Sequence, residues 1–93
     1  MLLLPATLTA REARDTLRML TQAIKGQAEG VVVDASSLVQ FDTAALSVLL
    51  ECQRQALAWG KAFALREPPA KLTALAKLYG VDVLLMRPVT AAT

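Results

Sequence analysis

Val31-Val32-Val33-Asp34-Ala35-Ser36-Ser37-Leu38-Val39-Gln40-Phe41-Asp42-Thr43-Ala44-Ala45-Leu46 is the stretch on which the fold of this chain turns. The valine run is β-branched and unbroken by polar residues. A strand of that kind is covered on both faces, as in a parallel sheet. Small polar residues then form a loop, and Asp42 has the chemistry of a helix N-cap. A strand, a loop and a polar helix mouth place a carboxylate and a hydroxyl where the first backbone N–H groups of a helix lack partners. Such a corner suits phosphorylation, anion binding or the docking of a partner.

Upstream, Leu2-Leu3-Leu4 reads as a short strand stopped by Pro5. Thr9-Ala10-Arg11-Glu12 has the S/T-x-x-E spacing of a capping box, so a helix should begin near Ala10. Ala13, Leu17, Leu20 and Ile24 recur at helical spacing, with Arg11, Arg14, Arg18, Gln22 and Lys25 largely on other faces. Gly26 and Gly30 bracket the exit. Downstream, the helix opened by Asp42 should run to about Trp59, with Gly60 as its stop. Ala62-Phe63-Ala64-Leu65 is a third strand, and Pro68-Pro69 leads into a short helix with Leu72, Leu75 and Tyr79 on one face. Gly80 closes that helix. Val83-Leu84-Leu85-Met86 reads as a last strand, and the tail from about Pro88 should fray. The order is βαβαβαβ. It predicts an α/β single domain spanning residues 1–93, with a mostly parallel sheet and helices packed on it.

The bulk numbers narrow the function. Ninety-three residues, 55% of them apolar and only 4% aromatic, suit one small core of Leu, Val and Ala. So much apolar content on so small a body also points to a face turned toward a partner. The net charge of +2 comes from scattered cations without interleaved aromatics, which argues against nucleic acid. Met1-Leu2-Leu3-Leu4-Pro5 is too short for a leader, and no window approaches a membrane span, so a cytoplasmic protein without direct membrane insertion is expected. Cys52 is a lone cysteine in mid-helix and reads as a small buried hydrophobe. The chain has no histidine, no phosphate loop and no metal-ligand cluster. An enzyme, a metal and a cofactor are therefore not expected.

The helix after Asp42 has three arcs at about 100° per residue. Leu46, Leu49, Leu50, Gln53 and Leu57 should face the sheet. Ser47, Glu51, Arg54, Gln55 and Ala58 lie opposite or on the flank. Ala45, Val48, Cys52, Ala56 and Trp59 form a third stripe. That stripe is either a wide core face or a contact surface for another protein. Thr43 is a surface hydroxyl at the cap, a phosphate acceptor facing the positive end of the helix dipole, or an unmodified hydrogen-bond donor across an interface. Asp34 either caps a local turn or forms an acidic corner with Asp42. Two carboxylates alone do not complete a Mg²⁺ site.

Val32-Val33-Asp34-Ala35-Ser36-Ser37-Leu38, followed by Phe41-Asp42-Thr43-Ala44-Ala45-Leu46, resembles the STAS domain of anti-sigma factor antagonists and anion transporters. In that family a strand ending in Asp-Leu-Ser is followed by Val-Asp-Ser-Ser-Gly-Leu opening a helix. The resemblance runs from Leu3 to about Leu85. Asp42-Thr43-Ala44-Ala45-Leu46 and Leu75-Ala76-Lys77-Leu78-Tyr79 are similar to segments of the STAS subunits of Mla-type phospholipid ABC transporters in Gram-negative bacteria. It implies a non-enzymatic accessory subunit, cytoplasmic and held at the inner membrane through the transporter. That subunit binds the transporter's ATPase, in a machine that maintains outer-membrane lipid asymmetry. The resemblance puts Thr43 at that contact. With the motif and the outer arcs of the helix, the expected contact set is Asp42, Thr43, Ala44, Ser47, Val48, Glu51 and Cys52. The alternative is an antagonist-like regulator switched by phosphorylation of Thr43. In the antagonists the modified serine stands second after the Asp, where this chain has Ala44. STAS domains also open with two strands, whereas this chain starts inside what looks like the second. An N-terminal edge strand that is missing or short would expose a sheet edge and favour a weak homodimer.

Overall fold

The computed structural model describes residues 1–28 and 30–88. The frayed tail expected after Pro88 lies outside the described residues. The elements run β1 (Leu2–Leu3), β2 (Thr7–Leu8), α1 (Ala10–Lys25), β3 (Gly30–Asp34), β4 (Gln40–Phe41), α2 (Thr43–Ala58), β5 (Ala62–Arg66), α3 (Ala70–Leu78) and α4 (Asp82–Leu85). Three strands form a parallel sheet in the order β1-β3-β5, and β2 pairs in parallel with β4. The α/β architecture with helices packed on a parallel sheet is the one the sequence predicts.

The central strand is β3, with Val33 opposite Leu2 on one side and Leu65 on the other. Val31 and Val33 are buried while Val32 is half-buried. The valine run is therefore covered fully on one face and partly on the other. Phe63 from β5, Leu20 and Ile24 from α1, and Leu49 and Cys52 from α2 fill the covered side. Truncating any one of these large aliphatic or aromatic side chains should cost about 2–5 kcal/mol, from lost burial plus the cavity left behind.

Local chemistry explains the element ends. Thr9 caps α1, and the Glu12 carboxylate returns to accept from the Thr9 N–H at 2.9 Å. A hydrogen bond from the Thr9 hydroxyl at 2.6 Å, foremost, and the one from its N–H hold the Glu12 carboxyl below its ordinary value. The Lys61 ammonium donates to the Ile24 carbonyl at 2.7 Å, so the C-terminal end of α1 is fastened to the start of β5. Gly60 and Gly80 follow α2 and α3 with φ of 72°, the left-handed conformation that lets the chain leave a helix sharply.

Three expectations need correction. The N-terminal segment is two short strands rather than one, because Pro5 has no N–H to continue a ladder. β1 pairs with β3, and after Pro5 the Ala6 carbonyl accepts from Val39 and Gln40 as β2 joins β4. A two-residue strand at Gln40–Phe41 carries too little pattern to be seen in sequence.

The last apolar run, Val83–Met86, is not a strand. It belongs to α4, a single turn in which the Val81 carbonyl accepts from Leu84 and Leu85 and the Asp82 carbonyl from Met86. Only Leu85 of the run is fully buried, and Gln53 of α2 donates its side-chain amide to the Leu84 carbonyl. Four apolar residues in a row do not distinguish strand from buried helical turn. The element order is thus ββαββαβαα rather than βαβαβαβ.

In α3, Leu72 and Ala76 are the buried pair, and Tyr79 turns outward as the C-cap residue.

Candidate docking site at the mouth of α2

β3 ends at Asp34, whose carboxylate accepts from the Ser36 N–H at 2.8 Å and forms a local turn. Hydrogen bonding from Ser36 holds the Asp34 carboxyl below its usual range, with Arg66 adding to the effect. The turn delivers the chain to β4 and then to Asp42. Asp42 is exposed, yet its carboxylate is committed. One oxygen accepts from the Ala44 N–H at 2.8 Å and the other from the Ala10 N–H at 3.2 Å. A single side chain therefore serves the first turns of α1 and α2. Asp34 and Asp42 each serve backbone N–H groups rather than a shared acidic corner. Among the described residues no three His, Cys, Asp or Glu side chains gather as a metal site.

Thr43 is the first residue of α2 and is exposed. It lines an open groove of about 320 Å³ together with Leu46, Ser47, Leu50, Tyr79 and Val81. The walls are apolar, with the hydroxyls of Thr43, Ser47 and Tyr79 as their polar groups and no acidic or basic side chain among them. The α3–α4 segment beside it also exposes Leu78, Val83 and Leu84. An uncharged rim of hydroxyls over an apolar floor can take a side chain or helix of another protein.

The expected contact residues divide. Thr43 and Ser47 open onto the groove. Ala44 is half-buried. Glu51 is half-buried too and is engaged by Arg54 and Gln55, which hold its carboxyl down to about 2, Arg54 foremost. Val48 and Cys52 do not belong to the surface. Val48 is 3% exposed and Cys52 is fully buried. Desolvation pushes the Cys52 thiol up to about 12, with Glu51 adding to the effect. The third stripe of α2 is thus a wide core face, because α2 packs against α1 as well as against β5. Only Trp59, at its end, is outside.

The groove takes its other walls from residues the sequence does not mark for contact. Leu46 and Leu50 read as sheet-facing, and Tyr79 and Val81 arrive from the end of α3 and the turn before α4. Tyr79 alone carried a signal: an aromatic next to a stop glycine at a helix end.

β3 thus delivers Asp34-x-Ser36, and the capped Asp42-Thr43 mouth of α2 follows with an exposed hydroxyl. Residues 1–87 match the family model described as the MlaB STAS domain. The chain belongs to the MlaB-like STAS family. No curated protein matches it with significance. STAS domains are generally non-catalytic, and MlaB-like members act through contact with an ATP-binding transporter subunit in general terms. In this MlaB-like domain, Ala44, the second residue after Asp42, has no side-chain hydroxyl to modify. Thr43 is the exposed hydroxyl of the motif. No helix among the described residues is long and apolar enough to cross a membrane.

Proposed function

We propose that this chain is a non-enzymatic accessory subunit of an Mla-type phospholipid ABC transporter, and that it binds the MlaF-like ATPase through the groove at Thr43. In this reading it is cytoplasmic, peripheral to the inner membrane through the complex, and serves outer-membrane lipid asymmetry. It needs no cofactor. The observation that carries the reading is the uncharged, hydroxyl-rimmed apolar groove at the mouth of α2 in an MlaB-like STAS domain. Asp42 contributes by holding that mouth in shape rather than by touching the partner. Ala44 and Glu51 adjoin the groove residues Thr43 and Leu50 in the chain. Self-association would use the edge strands β1 and β5.

Co-expression with the ATPase and co-purification test this. Thr43→Arg and Ser47→Arg place charge and bulk on exposed positions, so the fold should persist and the complex should be lost. Folded variants that still co-purify normally refute the surface.

A phospho-switch at Thr43 is the second reading. It is favoured by one observation, the exposed hydroxyl at the first position of α2, where the helix dipole stabilises a phosphate. The Asp42 carboxylate in the same turn opposes it. Intact-mass measurement with the cognate kinase decides, since no mass gain on Thr43 removes this reading.

A further inference from the structure

α1 carries a second feature that the ATPase reading does not use. Arg11, Arg14, Arg18 and Lys25 are all exposed. At 100° per residue they fall within about 60° of one another, and at 1.5 Å per residue the row is about 21 Å long. Arg11 and Arg14 are three apart, and Arg14 and Arg18 four apart, so neighbours along the row repel. The acids of α1 offset this only through space, without a direct ion pair. Glu12 is engaged by Thr9, and Asp15 forms no ion pair; among the described residues the sole ion pair is Arg54 with Glu51. At the C-terminal end of the row, the Lys25 ammonium lies 6.0 Å from the ring centre of Trp59, with Lys61 at 5.6 Å on the same ring. Lys61 has a structural task at the end of α1, whereas Lys25 shows no hydrogen bond from its side chain among the described residues.

We propose that this basic ridge docks an acidic helical segment of a partner protein, with Trp59 at its end. The ridge is a single file on one helix. A partner helix bearing carboxylates at matching turns can meet each cation, and the planar arginine fork pairs with a carboxylate in two-point fashion. A membrane fits less well. Its plane would also press on Asp15, which flanks the row, and Met19, the one large apolar side chain of α1 that is exposed, lies about 80° or more round the helix from the cations. The inference stands apart from the ATPase groove: Thr43→Arg should leave it intact.

The test uses the full chain and a labelled helical peptide of Ala and Gln with Glu at the ridge's own spacing, in both chain directions. A peptide of equal composition with its Glu spread around the helix is the control. One matched peptide should bind, more weakly as salt rises through about 0.15 M. It should shift Trp59 emission as Lys25 moves toward a carboxylate. Arg14→Glu with Arg18→Glu should weaken binding by about tenfold or more. Arg14→Gln with Arg18→Gln, which only removes charge, should weaken it less, and circular dichroism verifies that both variants fold. Equal binding of the control peptide, no binding of either matched peptide, or uptake onto phosphatidylglycerol-containing vesicles through these arginines without peptide binding overturns the proposal.

Discussion

Asp42 carries the most consequential structural prediction. Its carboxylate accepts from Ala44 at 2.8 Å and from Ala10 at 3.2 Å, so it serves as the N-cap of α2 and also ties down the first residue of α1. Losing an N-cap side chain costs about 1 kcal/mol. The second, longer hydrogen bond is worth about 0.5–1 kcal/mol. Asp42→Ala should therefore destabilise by about 2 kcal/mol, which is roughly 8–16 °C in Tm for a domain of this size. Asp42→Asn should lose about half of that, since its one carbonyl oxygen can keep the Ala44 bond while its amide faces the Ala10 donor. A second substitution isolates the Ala10 link. Ala10 is the first helical residue of α1, where proline is well accommodated, and Thr9 before it is already extended. In an Ala10→Pro background the cost of Asp42→Asn should shrink by about 0.5–1 kcal/mol. Urea unfolding monitored at Trp59, with m-values compared between variants, measures each term. If Asp42→Asn is as stable as the parent, or if the double-mutant cycle shows no coupling, the two-helix role is wrong.

Four further outcomes follow from burial, charge and backbone geometry. Val48→Ala should destabilise by about 2–3 kcal/mol in urea unfolding, because two buried methyl groups are removed from the core. A loss below about 0.5 kcal/mol would return Val48 to the surface. Cys52 should resist thiol reagents in the native protein and react only as urea unfolds it, since burial pushes its thiol up to about 12. Glu51 is held down to about 2 by Arg54 and Gln55, against an ordinary value of 4.5. Its contribution is therefore complete above 4.5 and lost as pH falls through about 2, so Glu51→Gln should be less acid-sensitive than the parent across that window. Gly80→Ala should cost about 1 kcal/mol in thermal or urea unfolding. The added methyl meets nothing within 4 Å, so the cost comes from holding alanine at a φ of 72°.

Much of the fold was legible because its signals are local. The Thr9–Glu12 spacing, the Asp42 cap, the valine run and the glycines after α2 and α3 each act within a few residues of themselves. β4 and α4 were not legible. β4 is two residues whose pairing depends on Ala6 and Thr7 more than thirty positions away. α4 coils because Gln53 reaches the Leu84 carbonyl and Leu85 enters the core, and a run of four apolar residues carries no trace of either. The candidate site was half legible. Thr43 and Ser47 stand on the outward arc of α2, as helical spacing implies. Helical spacing leaves Val48 and Cys52 open to either a core or a contact face, and they are buried because a helix that also packs on another helix needs a wider apolar arc than one that only covers a sheet.

The sequence by itself determined the α/β class, the caps of α1 and α2, the parallel character of the sheet and membership of the MlaB-like STAS family. All of these follow from near-neighbour chemistry and from motif residues read in order. Tertiary structure alone decided which face of α2 meets solvent, that Asp42 serves two helices, and that Tyr79 and Val81 complete a groove with Thr43. Each of those unites segments far apart in the chain. Only the closing of the core against α1, β5 and α4 determines which side chains are left outside.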